Sequence, residues 1–331
     1  MDLGIGVTNS EIRFSMRNGN RFLEEKIIGY DATSYSNMSE NILVNLKKEI
    51  EKVMKQLNPT YERISSIVVA YPMSFNLLKI SDLKMLFKEL NIDVIRFIDA
   101  GMARGLHIYE ITKTDSDDKH VCCIGHDKNF IELCLLEMGD GVVETLQSRC
   151  FQYEDVNAYS YIAEQINIWK KDNLDINELY LNLVLDSSTY MELTECIGAE
   201  RTEYLTEYAT SRGALIQAER ISGIAKDMLP IEIYSDAIEC RLNGDEKFYL
   251  LRPDTAIPFG KVIKKSTITP SLEEIEIFAI NNSTGESVCM LNTTFAVSPV
   301  KHEIEFIVDV DSNKNLMVEI NTSKSNIRFN Y

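Results

Sequence analysis

The sequence predicts an α/β amino-terminal region built from two similar halves, followed by an all-β carboxy-terminal domain. Three observations carry this. Up to about residue 226, stretches with apolar residues at helical spacing alternate with short apolar runs of strand type, the pattern of layered α/β proteins. The polar stretch 112–119 (TKTDSDDK) interrupts this pattern, which then restarts. Beyond Pro230 the chain changes to alternating strand segments separated by turn residues. The predicted divisions are 1–119 and 120–226 for the two halves, 227–234 for a linker and 235–331 for the β-domain.

Taken in order, residues 1–16 alternate around Gly4, Gly6, Asn9 and Ser10, which predicts a β-hairpin. From Ser39 the residues Ile42, Leu43, Leu46, Ile50, Val53, Met54 and Leu57 recur at helical spacing, and Asn58-Pro59 stops them. A buried-type strand, Ile67–Tyr71, ends at Pro72. Leu83, Leu86, Phe87 and Leu90 then share a helix face, with Ser81 as the expected N-cap. A strand over 94–98 and a helix over 100–110 complete the first half. The second half predicts a hairpin over 121–136 continuing through Gly139-Asp140-Gly141, a helix over 154–170, a strand over 180–185 and a helical stretch over 207–226. In the last part, segments 247–251, 274–280, 304–310 and 316–320 alternate, with turns at Asn243-Gly244 and Asp311-Ser312-Asn313, as in a β-sandwich.

Composition narrows the function classes. The chain has 331 residues and a formal net charge of −17, which disfavours a nonspecific grip on a phosphate backbone, so nucleic acid is not an expected partner. Its seven cysteines are odd in number and lack paired CxxC spacing, and three fall in the apolar 121–136 stretch. They read as core residues of a reducing compartment. Cys122 and Cys123, being adjacent on a strand, should point to opposite faces and not act together. The four histidines fall in no metal-ligand spacing. Neither a signal segment nor an 18-residue apolar run is present, so a cytoplasmic protein without a membrane partner is expected.

Read in order, these segments resemble the DnaK-type, seventy-kilodalton heat-shock chaperones. Residues 4–10 (GIGVTNS) are similar to that family's first phosphate hairpin, 67–76 (IVVAYPMSFN) to its strand and Pro-Ala-Tyr-Phe-Asn turn, and 94–109 (VIRFIDAGMARGLHIY) to its Asn-Glu-Pro-Thr helix. Residues 132–144 (ELCLLEMGDGVVE) resemble the second hairpin, 182–191 (NLVLDSSTYM) the adenosine loop, and 213–223 (GALIQAERISG) the closing helix. Residues 252–258 (RPDTAIP) and 304–320 resemble the peptide-binding β-domain. The resemblance implies an actin-like (ribonuclease-H-like) two-lobed core. The spacings before residue 40 and between Glu144 and residue 180 leave no room for either cap subdomain, and a β-domain without the family's helical lid is expected.

The resemblance also implies a vestigial nucleotide site at Gly6, Thr8, Asn9, Gly125, Asp127, Ser187 and Ser188. Its chemistry is stripped. The family's first acidic residue falls on Gly4, its glutamate on Ala100, and its second Asp-Leu-Gly-Gly-Gly-Thr run on Cys123 to Lys128. A rival alignment places Asp2 in the metal-facing role. Losing several catalytic groups of this kind leaves little turnover, and any ATP or ADP is expected to bind weakly. Leu229, Ile231 and Ile233 correspond to the family's interdomain linker, or else form the first strand of the β-domain. Asp245, Glu246 and Lys247 fall at the peptide groove tip, where the family carries apolar residues. The expected function is protein or peptide binding by a degenerate chaperone-like protein. The alternatives are a cut-down ATPase re-sited on Thr8, Asp99, Asp127 and Asp186, and an actin-like assembling scaffold.

Overall fold

The computed structural model describes all residues except 9, 30–38, 61–62, 113–117, 128–129, 153–157, 173, 184–186, 225–227, 245, 268–271, 283–284, 297–301, 323–324 and 331. It is a mixed α/β protein with several sheets and a β-rich carboxy-terminal region. The chain divides into two compact units, Met1–Ile231 and Glu232–Tyr331.

The amino-terminal unit contains one succession of elements twice. Three strands, β1 (Asp2–Val7), β2 (Glu11–Asn18) and β3 (Arg21–Ile28), are followed by α1 (Glu40–Leu57), β4 (Ser66–Tyr71), α2 (Leu77–Glu89), β5 (Arg96–Asp99) and α3 (Ala100–Thr112). The same order returns as β6 (Lys119–Asp127), β7 (Phe130–Gly139), β8 (Val142–Gln152), α4 (Ala158–Lys171), β9 (Glu178–Asn182), α5 (Ser187–Ile197), β10 (Arg201–Tyr204) and α6 (Ala209–Ile221). The first sheet runs β3-β2-β1-β4-β5 and the second runs β8-β7-β6-β9-β10 in the matching sense. In both, the meander is antiparallel and the last two strands join parallel, which requires the helical crossovers found between them.

Period-two alternation sorts the core into layers. Leu3, Ile5 and Val7 of β1 pack with Leu46, Ile50 and Val53 of α1 and Leu83, Leu86 and Phe87 of α2. Val68 and Ala70 of β4 join the opposite face, a middle layer shared by α3, α6 and the Cys123, Cys134 and Leu136 face of the second sheet. Cys122, Ile124, Leu133 and Leu135 face outward onto Ile162, Ile166 and Trp169 of α4 and Leu193 of α5. Cys122 and Cys123 therefore lie in different layers, as strand geometry requires. The middle layer is thin because glycines line it. A Cβ at Gly213 on α6 would stand 1.6 Å from the Ala103 carbonyl oxygen of α3, and one at Gly4 would stand 2.1 Å from that of Ser211.

Several boundaries differ from the sequence expectation. The N-cap of α2 is Asn76, whose side chain accepts from the Lys79 N–H at 3.1 Å, so Ser81 lies inside the helix. Asn76 precedes the apolar run by a full turn more than Ser81 does, and its amide oxygen reaches the free N–H of the third helical residue. The strands expected over 94–98 and 180–185 are Arg96–Asp99 and Glu178–Asn182. Strand β3, helix α5 and strand β10 were not anticipated. The segment expected as a linker is largely strand β11 (Leu229–Tyr234). Its Leu229–Ile231 half pairs in parallel with Val142–Glu144 of β8.

In the carboxy-terminal unit, β12 (Ala237–Leu242), β13 (Glu246–Leu251), β16 (Leu272–Ile280) and β17 (Ser287–Ala296) form one sheet, ordered β13-β12-β16-β17. The other, β15-β18-β19-β20, comprises β15 (Phe259–Thr267), β18 (His302–Val310), β19 (Leu316–Asn321) and β20 (Asn326–Asn330). The short β14 (Thr255–Ile257) pairs with Glu232–Tyr234. Alternate residues are buried in each sheet, among them Ile238, Cys240 and Leu242 in one and Ile304, Phe306 and Val308 in the other. The predicted turns are present. Asn243 and Gly244 both take positive φ, and the Asp311 side chain accepts from the backbone N–H groups of Asn313 and Asn315. Among the described residues no helix is long and apolar enough to cross a membrane.

Candidate functional site

Two places concentrate chemistry, one in each unit. The first lies at Gly125 on β6. This residue was expected in a vestigial nucleotide site. Instead, a Cβ there would stand 1.9 Å from Nη1 of Arg104 on α3, so the guanidinium packs directly against the glycine. Arg104 donates from Nη2 to Glu132 Oε2 at 2.7 Å, and both side chains are 2% exposed. The other Glu132 oxygen accepts from the Met73 N–H at 2.6 Å. Burial alone would lower the Arg104 pKa, but Glu132 holds it above its usual value. The neighbouring Cys123 thiol is pushed up to about 11, by burial first and against the pull of Arg104. It is a packed thiol and not a nucleophile.

The other expected nucleotide residues are engaged or lie elsewhere. Gly6 faces Ser211 of α6, whose backbone nitrogen would be 3.1 Å from an added Cβ. The Thr8 hydroxyl is used inside its own turn, where it accepts from the Glu11 N–H at 3.0 Å and donates to the Glu11 carbonyl at 3.2 Å. Asp99 accepts from the Met102 N–H at 2.8 Å, which makes it the N-terminal cap of α3. Asp2 sits at the far end of β1 from Thr8 and accepts from the Ser222 hydroxyl at 2.6 Å. Ser187 and Ser188 open α5, and Asp127 ends β6. Asn9, Asp186 and Asp245 lie outside the described residues. Among the linker residues Leu229 is exposed, Ile231 is half-buried within the β8 pairing, and Ile233 is buried.

Sequence reasoning missed Arg104 and Glu132, although a signal existed. Each is a lone charge of opposite sign in an otherwise apolar run, MARGL in α3 and FIELC in β7. A charge that must be buried needs a partner.

The second place is a groove of about 560 Å³ in the carboxy-terminal unit, lined by Phe248, Tyr249 and Leu250 of β13 and by Phe259, Lys261, Val262 and Ile263 of β15, with Arg252 and Lys265 at its rim. Strands β13 and β15 each stand at the edge of their sheet. Of the predicted groove-tip residues, Glu246 pairs with Lys265 at 3.0 Å, and Lys247 is exposed beside it. The Lys265 ammonium also lies 4.3 Å from the centre of the Phe248 ring. Among the described residues, three or more His, Cys, Asp or Glu side chains nowhere gather as a metal site.

Compared with protein-family models and with curated proteins, the chain finds no match in either.

Proposed function

We propose that the chain is a polypeptide-binding protein whose carboxy-terminal unit holds an extended segment, carried on an actin-like core that no longer turns over nucleotide. The observation that carries the reading is the groove between the β13 and β15 edges. Two open edges with apolar side chains between them offer main-chain hydrogen bonds and side-chain pockets together, which is what binding by strand addition needs.

The core supports the second half of the reading. The duplicated three-strand meander with two parallel additions, and the paired helices α3 and α6 between two sheets, is the arrangement an actin-like core would have. In such a core the glycine face of the second hairpin receives phosphate. Here that face meets Arg104, whose charge Glu132 already neutralises. An entering phosphate would have to displace a buried carboxylate, and the carboxylates that hold Mg²⁺ in such sites are replaced at Gly4 and Ala100.

A labelled, permanently unfolded polypeptide titrated against the protein, alongside a phosphate-release assay, tests the reading. Saturable binding that changes less than about twofold with Mg²⁺-ATP is expected, with phosphate release at the buffer rate. Mg²⁺-dependent turnover, or ATP-controlled release of the polypeptide, would restore the ATPase reading. A failure to bind any unfolded chain would remove the binding reading.

A further inference from the structure

Resting on that reading of the carboxy-terminal unit, we infer that the β15 edge takes an extended segment of another protein that carries one acidic residue, with an apolar residue two places before it and another two places after. The register of β15 carries this. Phe259, Lys261, Ile263 and Lys265 stand opposite Val310, Val308, Phe306 and Ile304 with no register shift, and those four partners are buried. The four β15 side chains therefore share the core-facing side of their sheet, which Phe248 and Leu250 of β13 flank across the groove. Along that side the edge reads apolar, basic, apolar, basic.

The lysines of the strand differ in their partners. Lys265 is answered by Glu246 at 3.0 Å, and Lys264, on the opposite side of the sheet, by Glu303 and Glu305 at 3.4 and 3.2 Å. Among the described residues Lys261 has no such carboxylate, and it is exposed between the half-buried Phe259 and Ile263. A lysine on the inward side of an edge strand obstructs pairing by apolar segments, because its charge would be covered without a partner. A carboxylate set opposite it removes that obstacle. A strand added to β15 turns every second side chain to the groove side, so an acid opposite Lys261 brings the residues two places away opposite Phe259 and Ile263. The pattern is symmetrical about the acid and serves either strand direction. The intervening residues point to the other side, past Gly260 and Val262, and are not selected by charge.

The test uses the full-length protein and fluorescence anisotropy with four short labelled peptides, each flanked by serines. Their centres are Val-Ser-Glu-Ser-Val, the same composition with the acid moved one place (Val-Glu-Ser-Ser-Val), Val-Ser-Lys-Ser-Val, and the neutral Val-Ser-Val-Ser-Val. The first binds about tenfold or more tightly than each of the others, with a gap that narrows as salt rises. Lys261→Glu inverts the preference, so that the lysine peptide binds more tightly than the glutamate one. The substitution is at an exposed position, and circular dichroism verifies the fold. Equal binding of the peptide with the shifted acid or of the neutral peptide, or an unchanged preference in Lys261→Glu, overturns the inference. Concentration-dependent self-association that is lost in Lys261→Glu also overturns it, since a second copy would then be the occupant. If the unfolded polypeptide binds while the four peptides bind equally or not at all, this inference fails and the polypeptide-binding reading stands; if neither the polypeptide nor any peptide binds, both fail.

Discussion

A guanidinium and a carboxylate buried as deeply as Arg104 and Glu132 give up most of their hydration, at several kcal/mol each, and recover it only through a close pair and further hydrogen bonds. Removing one partner strands the other. Arg104→Met should therefore destabilise the amino-terminal unit by about 3–5 kcal/mol, read from the urea midpoint. Arg104→Met combined with Glu132→Gln, which keeps an acceptor for the Met73 N–H, should recover much of that loss. If the double variant is as unstable as the sum of the singles, the two side chains are not coupled. Gly125 is tied to the same pair, because an added methyl would collide with the guanidinium. The sequence alone marked Gly125 as special but for a different reason. A glycine that faces a phosphate and one that faces a buried arginine look the same until the helix bearing Arg104 is set against the strand.

At the scale of elements, the tightest glycine fit among the described residues is at Gly213, where α6 meets α3. Gly213→Ala places a methyl 1.6 Å from a backbone oxygen, and neither helix can yield without opening the middle layer. A loss of about 3 kcal/mol or more is expected, at the upper end of overpacking costs. Gly19→Ala is the control, with positive φ and open space around it, and should cost only about 1 kcal/mol. Equal losses in thermal denaturation would mean that backbone conformation, not helix contact, explains both glycines. Helices and strands with strong periodicity were legible: α1 is Glu40–Leu57 with Ser39 at its N-cap position, where the apolar spacing from Ser39 to Leu57 put it. Strand β3 was not, since RFLEEKII mixes charge with apolar residues and leaves most of the strand only half-buried. Strand β10 is four residues long, none of them buried, and so carries no apolar signature. The groove was illegible for another reason. Whether β13 and β15 are edges depends on which strands pair, and no local pattern encodes that.

For the whole molecule, two buried titratable groups give the units opposite responses to pH. His107 in α3 is pushed down to about 4, chiefly by burial and further by Arg212 and Arg17. Its unfolded form takes up a proton near its ordinary value, so the amino-terminal unit loses stability as pH falls from about 6.5 to 4, by up to about 3 kcal/mol. Asp236 is pushed up to about 7 by burial, against the opposing pull of Lys314 and a backbone hydrogen bond with Asn282. Its folded form holds a proton that the unfolded form releases. This contribution is therefore fully present below about pH 4 and is lost as pH rises to about 7, by up to about 4 kcal/mol. The single tryptophan, Trp169, is buried against α4's own sheet in the amino-terminal unit and reports that unit by fluorescence. Amide exchange in β12 and β18 reports the other. Because other carboxylates also titrate, the informative quantity is the difference from wild type. His107→Gln should gain relative stability in the amino-terminal unit as pH falls toward 4, and Asp236→Asn should gain it in the carboxy-terminal unit as pH rises toward 7. A difference for Asp236→Asn that stays flat between pH 4 and 8 would show that this carboxyl ionises normally in the folded protein, and that its buried site is hydrated.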